Sequence, residues 1–258
     1  MIAFAGKTFA TPPMQFPDAA WLTATPASQG IDPSSLRQAL GFLQLHCKSD
    51  GLSEVMVIRN GFVVWQGDQT HKVHNVWSCS KSFTSTALGL LIDEGKCRLD
   101  TKVASVLPDL KTLYPDANLR HFTTMTSGYS GIGRSRWDDE NSDWSWTPYV
   151  PDQPFFVPGT AFAYWDEAQM TLGRALTRIA TVPLRDYLQI RLFDPIGLGQ
   201  VEWSTEGTID GIAINNGCTN IHINARQMAR FCQLFLNRGQ WDGVQVVPAD
   251  WVKAATQN

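Results

Sequence analysis

No apolar run in this sequence is long enough to cross a bilayer; the densest stretch, Ala87 to Ile92, has only the length of a helix core. Basic clusters are missing too, and 21 Lys and Arg against 24 Asp and Glu leave a net charge of −3, which argues against nucleic acid as a partner. Met1-Ile2-Ala3-Phe4-Ala5-Gly6-Lys7 lacks the basic segment and apolar stretch of a secretory leader. Cysteine is scarce: five residues, an odd number at scattered spacing, speak against a disulfide framework and for free thiols in a reducing, cytoplasmic compartment. His71 and His74 have no carboxylate or cysteine partners at zinc spacing, so no metal is expected. Gly131-Ile132-Gly133 lacks the third glycine and the preceding strand of a dinucleotide loop, and Gly128-Tyr129-Ser130-Gly131 misses the Gly-x-Ser-x-Gly elbow by one residue. What remains is a globular composition, 43% hydrophobic and 17% charged, on a 258-residue chain that can bury a sizeable core in one or two domains.

Among what is present, Trp77-Ser78-Cys79-Ser80-Lys81-Ser82-Phe83 carries the most chemistry. Phe83, Ala87, Leu90 and Leu91 fall at i, i+4, i+7 and i+8, which predicts a helix from Phe83 to Gly95 with one apolar stripe. Ser78 and Lys81, three residues apart near its start, share a face. A serine becomes a nucleophile only when something takes its proton. A partly desolvated lysine can be neutral enough to take it. The helix N-terminus supplies partial positive charge where an oxyanion would form. Ser-x-x-Lys alone is a weak match, and the plainer reading is a helix start rich in capping hydroxyls with a solvated lysine. Cys79 reads as a small buried thiol.

Residues 1 to 30 hold Pro12, Pro13, Pro17 and Pro26 and read as an irregular leader. Asp32-Pro33 reads as N-cap and first turn of a helix to about Cys47, with Leu36, Leu40 and Leu43 inward. Val55 to Arg59 and Phe62 to Gln66, joined by Asn60-Gly61, predict a β-hairpin. Further helices are expected over 166–179, 184–193, 225–237 (capped by Asn224) and 248–255, with an apolar run at 244–247 between the last two. The chain thus divides into the leader, 31–100 as part of an α/β domain, a mainly helical 101–240, and 241–258 returning to the first domain. Helices outnumber strands, and only one hairpin is plain.

Six ordered segments resemble the serine β-lactamase-like hydrolases of the class C type, which include D-alanyl-D-alanine carboxypeptidases and short-chain carboxylesterases. They are the hairpin at 55–61, the Ser78-x-x-Lys81 segment, Gly95-Lys96 through Pro108, Leu119-Arg120-His121 to Gly128-Tyr129, Pro158-Gly159-Thr160 to Tyr164, and Ala225 to Phe231. The resemblance implies an α+β, penicillin-binding-protein-like fold: an antiparallel sheet flanked by helices, plus an all-helical domain. It implies an acyl-enzyme serine hydrolase without cofactor, acting on a short ester, amide or β-lactam, with no nucleic acid or membrane partner. Ser78, Lys81 and Tyr164 would be catalytic. The second motif, Tyr164-Trp165-Asp166, departs from the family's Tyr-x-Asn; a carboxylate can only accept where an amide could donate, so Asp166 would favour amine-bearing substrates, or else cap the next helix. Trp165 would line the site, and Trp137, Trp144 and Trp146, in a loop with four acidic residues, would form its rim or pin the loop down.

The family's third motif, Lys or His followed by x-Gly on a late strand, has no counterpart after Ala225. The expectation is therefore an incomplete sheet with an open edge beside the hairpin and an exposed Ser78. A longer product, a complementing chain or another copy in a homo-oligomer would fill that edge. The rival reading is a non-catalytic or weakly active binding or scaffold protein that keeps the fold.

Overall fold

The computed structural model describes residues 14–47, 51–132 and 147–257. In chain order the elements are β1 (Leu22–Thr23), α1 (Pro33–His46), β2 (Met56–Arg59), β3 (Phe62–Gln66), β4 (His74–Asn75), α2 (Ser80–Asp93), α3 (Val103–Val106), α4 (Leu119–Thr123), β5 (Gly131–Ile132), β6 (Thr147–Pro151), α5 (Asp166–Ala180) and α6 (Leu184–Leu188). There follow β7 (Glu202–Trp203), β8 (Thr205–Ile209), β9 (Ile212–Asn215), β10 (Ile221–Ile223), α7 (Ala225–Leu236), β11 (Gln240–Trp241), β12 (Val244–Gln245) and α8 (Ala249–Ala255). They belong to two compact units, Met1–Lys72 with Asn224–Gln233, and Val73–Ile223 with Leu234–Asn258. The chain passes from the first unit to the second after Lys72, so β2 and β3 are in the first and α2 is in the second.

In the first unit β2 and β3 form the expected hairpin, with Arg59 opposite Phe62 and Met56 opposite Gln66. Asn60 (φ 52°) and Gly61 (φ 83°) are both left-handed, the pair of conformations that a two-residue hairpin loop needs. Gly61 is also required by space, because a Cβ there would lie 1.8 Å from the Gln15 carbonyl oxygen. The leader is not irregular throughout. β1 pairs in parallel with β3, Leu22 opposite Phe62, giving the order β1-β3-β2. Residues near β1 are tied to the start of α7 by Arg230 Nη1 on the Pro17 carbonyl (3.1 Å) and Gln233 Nε2 on the Gln15 carbonyl (2.6 Å). Prolines that forbid a helix leave room for an extended segment fastened in this way, and that is what the composition concealed. The outer edge of β2 carries no strand among the described residues.

α1 starts as its sequence dictates, with Pro33 in the first turn and the Asp32 side chain accepting from Ser35 N–H at 2.7 Å. Its apolar stripe meets no core. None of its residues is buried, and Leu43 is 41% exposed, so the expectation that Leu36, Leu40 and Leu43 face inward is overturned. Periodicity predicted the helix; it could not supply a surface for the stripe to cover.

The core of the second unit is built on α2 and α5. Phe83, Ala87, Leu90 and Leu91 are all fully buried, and the Phe83 ring meets Phe193 edge-on at 5.9 Å. α5 contributes Ala168, Leu172, Ala175 and Leu176 to the same interior. Strands are more numerous here than the sequence reading allowed. Asp210-Gly211 joins β8 to β9 and Asp242-Gly243 joins β11 to β12, all four residues at positive φ. Both are the Asp-Gly hairpin signal, so these two hairpins add to the one that was plain in the sequence. β10 lies between β4 and β7, antiparallel to both, and its pairing with β4 crosses some 145 residues of chain, which no local pattern announces. No described helix is long and apolar enough to cross a membrane.

Candidate active site

Ser78, Lys81, Tyr164 and Asp166 all belong to the second unit. Ser78 sits on a short 3-10 turn, Trp77–Cys79, that runs directly into α2, so the helical path begins earlier than Phe83. The turn is held from outside. Val76 N–H donates to the Ile221 carbonyl at 2.9 Å, and Ile221 N–H donates to Ser80 Oγ at 3.2 Å. Trp77 is left-handed (φ 49°), a costly conformation for a bulky residue, about 1–3 kcal/mol, that persists only where neighbours over-determine it. Asn75 supplies that constraint: its Oδ1 accepts from Trp77 N–H (2.8 Å) and Asn220 N–H (3.3 Å), and its Nδ2 donates to Asn220 Oδ1 (2.9 Å). Ser78 is left exposed, as expected. Cys79 is exposed as well, not buried, because the turn points it away from the α2 core.

Lys81 is the hub. Its Nζ donates to Ser78 Oγ at 2.8 Å and to the Cys218 carbonyl at 3.1 Å, and pairs with Asp166 Oδ1 at 2.7 Å. The Tyr164 ring lies 5.0 Å from the same atom. Burial by itself would lower the Lys81 pKa. The Asp166 carboxylate, by contact and by charge, together with the contact of Tyr164, outweighs burial and holds it above the ordinary lysine value. The neutral lysine expected from partial desolvation is therefore not the resting form.

Each neighbour of Lys81 is delivered by a distinct device. Tyr164 is placed by Ala163 N–H on the Met125 carbonyl (3.1 Å), which ties its segment to the residues after α4; the ring itself is 55% exposed. Asp166 is the first residue of α5 and does not cap it; the cap position falls on Trp165, and the Asp166 carboxylate turns to Lys81. The Cys218 carbonyl is presented by a tight loop in which Asn216 Oδ1 accepts from Cys218 N–H (2.9 Å) and Thr219 N–H (3.2 Å). That loop lies flat on α5 because Gly217 faces Gly173; a Cβ on Gly217 would be 2.2 Å from the Gln169 carbonyl oxygen. Trp203 Nε1 donates to the Asn216 (2.8 Å) and Thr219 (3.1 Å) carbonyls, and Thr84 Oγ1 on α2 donates to the Gly217 carbonyl at 2.8 Å. Burial, with the charge of Asp166, pushes the Cys218 thiol up to about 12, so it stays neutral beside the lysine.

Trp165, expected to line the site, follows Tyr164 directly. It is buried, stacks edge-on with Phe155 at 5.2 Å and donates Nε1 to Glu167 Oε2 at 3.3 Å. Trp137, Trp144 and Trp146 lie outside the described residues. Asn75, Asn216, Gly217 and the Cys218 carbonyl were missed in the sequence; Asn-Asn-Gly at 215–217 was a visible turn signal, but nothing local linked it to Lys81. Among the described residues no cluster of three or more His, Cys, Asp or Glu could hold a metal ion.

A family model described as Beta-lactamase matches residues 48–256. Penicillin-binding protein 4 of Amycolatopsis lactamdurans is 32% identical over 142 residues, 51% of this chain and 36% of that protein. Among solved structures, a Bacillus anthracis protein assigned as a 6-aminohexanoate-dimer hydrolase superposes with a TM-score of 0.67 at 21% identity, covering 94% of this chain and 66% of its own. An octameric penicillin-binding protein homologue of Pyrococcus abyssi superposes with a TM-score of 0.63 at 15% identity, covering 86% of this chain and 59% of its own. The chain thus spans about a third of the curated relative and under two thirds, or just at that mark, of the solved neighbours.

Proposed function

This chain belongs to the Beta-lactamase family, and from that premise we propose that it is a serine hydrolase that works through an acyl-enzyme on a short ester or amide. The observation that carries the reading is the 2.8 Å contact of Lys81 Nζ with an exposed Ser78 Oγ, beside Tyr164, at the entry to α2. In this reading Ser78 attacks the substrate carbonyl. Its proton passes to a Lys81 that has first given one up, and Tyr164 hands a proton to the leaving group. The Ser78 backbone N–H, at the positive end of the helical path, faces the developing oxyanion. Water then releases the acyl group.

The carboxylate of Asp166 is paired with Lys81 at 2.7 Å, so its charge is engaged inside the site rather than offered to a substrate amine. A neutral ester is therefore the better first probe. The five free cysteines suit a cytoplasmic setting. The outer edge of β2, which carries no strand among the described residues, is proposed to take a further strand from a second copy or a complementing chain; the octameric state named for one solved neighbour supports this.

A fluorophosphonate probe tests the nucleophile. Intact mass and peptide mapping should place one adduct on Ser78, and Ser78→Ala should abolish it; an adduct that survives the substitution refutes the reading. Lys81→Arg should also abolish turnover, because a guanidinium does not give up its proton.

A further inference from the structure

Beside the Tyr164 side chain, Lys81 Nζ meets Ser78 Oγ at 2.8 Å, Asp166 Oδ1 at 2.7 Å and the Cys218 carbonyl at 3.1 Å. Two of them, carboxylate and carbonyl, can only accept; the hydroxyl can do either. An ammonium donates to Ser78 and to the Cys218 carbonyl and is ion-paired with Asp166. A neutral amine keeps an N–H on the Cys218 carbonyl and gives up the charge pairing with Asp166. Its lone pair is then free to face Ser78, whose O–H donates. The same cage therefore fits both protonation states, which differ in the direction of the Ser78 bond and in the charge pairing with Asp166.

We propose that Asp166, with the Cys218 carbonyl, is a positioning device that makes Lys81 a donor to Ser78 at rest and an acceptor once one proton is lost, and that the charge of Asp166 sets the pH of that change. The proposal rests on Ser78 as the nucleophile. The step balances simply: the ammonium releases one proton to solvent, and the resulting amine takes the Ser78 hydroxyl proton as Oγ bonds to the carbonyl carbon.

The groups facing Lys81 from each side are few. The segment leading into α5 brings Tyr164, the start of α5 brings Asp166, and the 216–219 loop brings the carbonyl and the neutral thiol of Cys218. Behind that loop Glu206 on β8 accepts from Asn216 Nδ2 and adds a second, more distant negative charge. Asp166 is the carboxylate in direct contact, and the Lys81 and Asp166 side chains are each only 11% exposed, so solvent screens the pair little. Asparagine at this position keeps an acceptor oxygen of the same reach and removes the charge. Burial then acts on Lys81 with less opposition and favours the amine.

The test is the rate of Ser78 modification by a fluorophosphonate, and of hydrolysis of a neutral nitrophenyl ester, across pH 5.5 to 9.5. For Asp166→Asn the acid limb should move to lower pH by about one unit or more, so that the rate at pH 7 rises about tenfold, a unit of pKa being a factor of ten. Because Lys81 of the unaltered protein is held above the ordinary lysine value, its rate should climb with pH throughout this range, and Asp166→Asn should lie above it at every pH below the new limb. An unmoved limb, or an Asp166→Asn rate no higher than that of the unaltered protein at pH 7, overturns the proposal. Should Asp166→Asn fail to fold, the unaltered protein still decides. The ¹³Cε-lysine signal assigned by Lys81→Met should titrate together with the labelling limb, and a Lys81 that titrates well away from it overturns the proposal. Adducts on Ser78 with an unmoved limb sink only the role of Asp166; adducts elsewhere sink the nucleophile, and this inference with it.

Discussion

α1 and α2 are both 14-residue helices with an apolar stripe, yet α2 buries nine of its residues and α1 buries none. α1 has the better ends: an Asp32 cap and Pro33 in the first turn, where α2 begins with no side-chain cap at all. Local chemistry therefore decided that each segment is helical, and it did so more firmly for the helix that contributes less to a core. What separates them is supply of partners. α2 is packed in the same interior as α5 and Phe193, whereas the described residues offer α1 no comparable apolar surface. Burial, at roughly 25 cal/mol per Å² of apolar surface, is where stability comes from, so the two helices should respond very differently to the same kind of change.

The sharpest way to test that difference is Phe83→Ala. Its ring is fully buried, and its loss should cost about 3–5 kcal/mol, read as a large drop in the urea midpoint. A cost below about 1 kcal/mol would mean that α2 is no better anchored than α1. Next comes Gly217→Ala, which probes the packing that aims the Cys218 carbonyl. A methyl group 2.2 Å from the Gln169 carbonyl oxygen forces the loop off α5, at about 1–3 kcal/mol, and should slow Ser78 labelling through Lys81. Full stability with an unchanged labelling rate would show that the glycine contact does not position the site. The smallest effect is expected for Leu43→Ser on the exposed stripe of α1, within about 0.5 kcal/mol by thermal or urea unfolding. A much larger loss would reveal that this stripe is covered in solution.

The sequence was most legible where a residue and its partner are close along the chain. The Asn60-Gly61 turn, the Asp32 cap and the Ser78–Lys81 pair each depend on groups three or fewer residues apart, and each was readable. The Asp-Gly hairpins of the second unit rest on equally local signals, with both residues of each turn at positive φ. Asp166 is different in kind. From the sequence it was a carboxylate open to a substrate amine or a helix end; the fold gives it to Lys81, 85 residues away by their numbers, and with that reverses the expected charge of the lysine.

By itself, then, the sequence determined the helices, the main hairpin, the order of the family's segments and the residues that carry the chemistry, because caps, turns and stripes act within a few residues. Only the tertiary structure decided which stripe finds a core, that Trp165 is buried, and that Lys81 rests as an ammonium among Ser78, Asp166 and the Cys218 carbonyl. Those outcomes depend on burial and on charges brought together from distant parts of the chain, and neither is a property of any short segment.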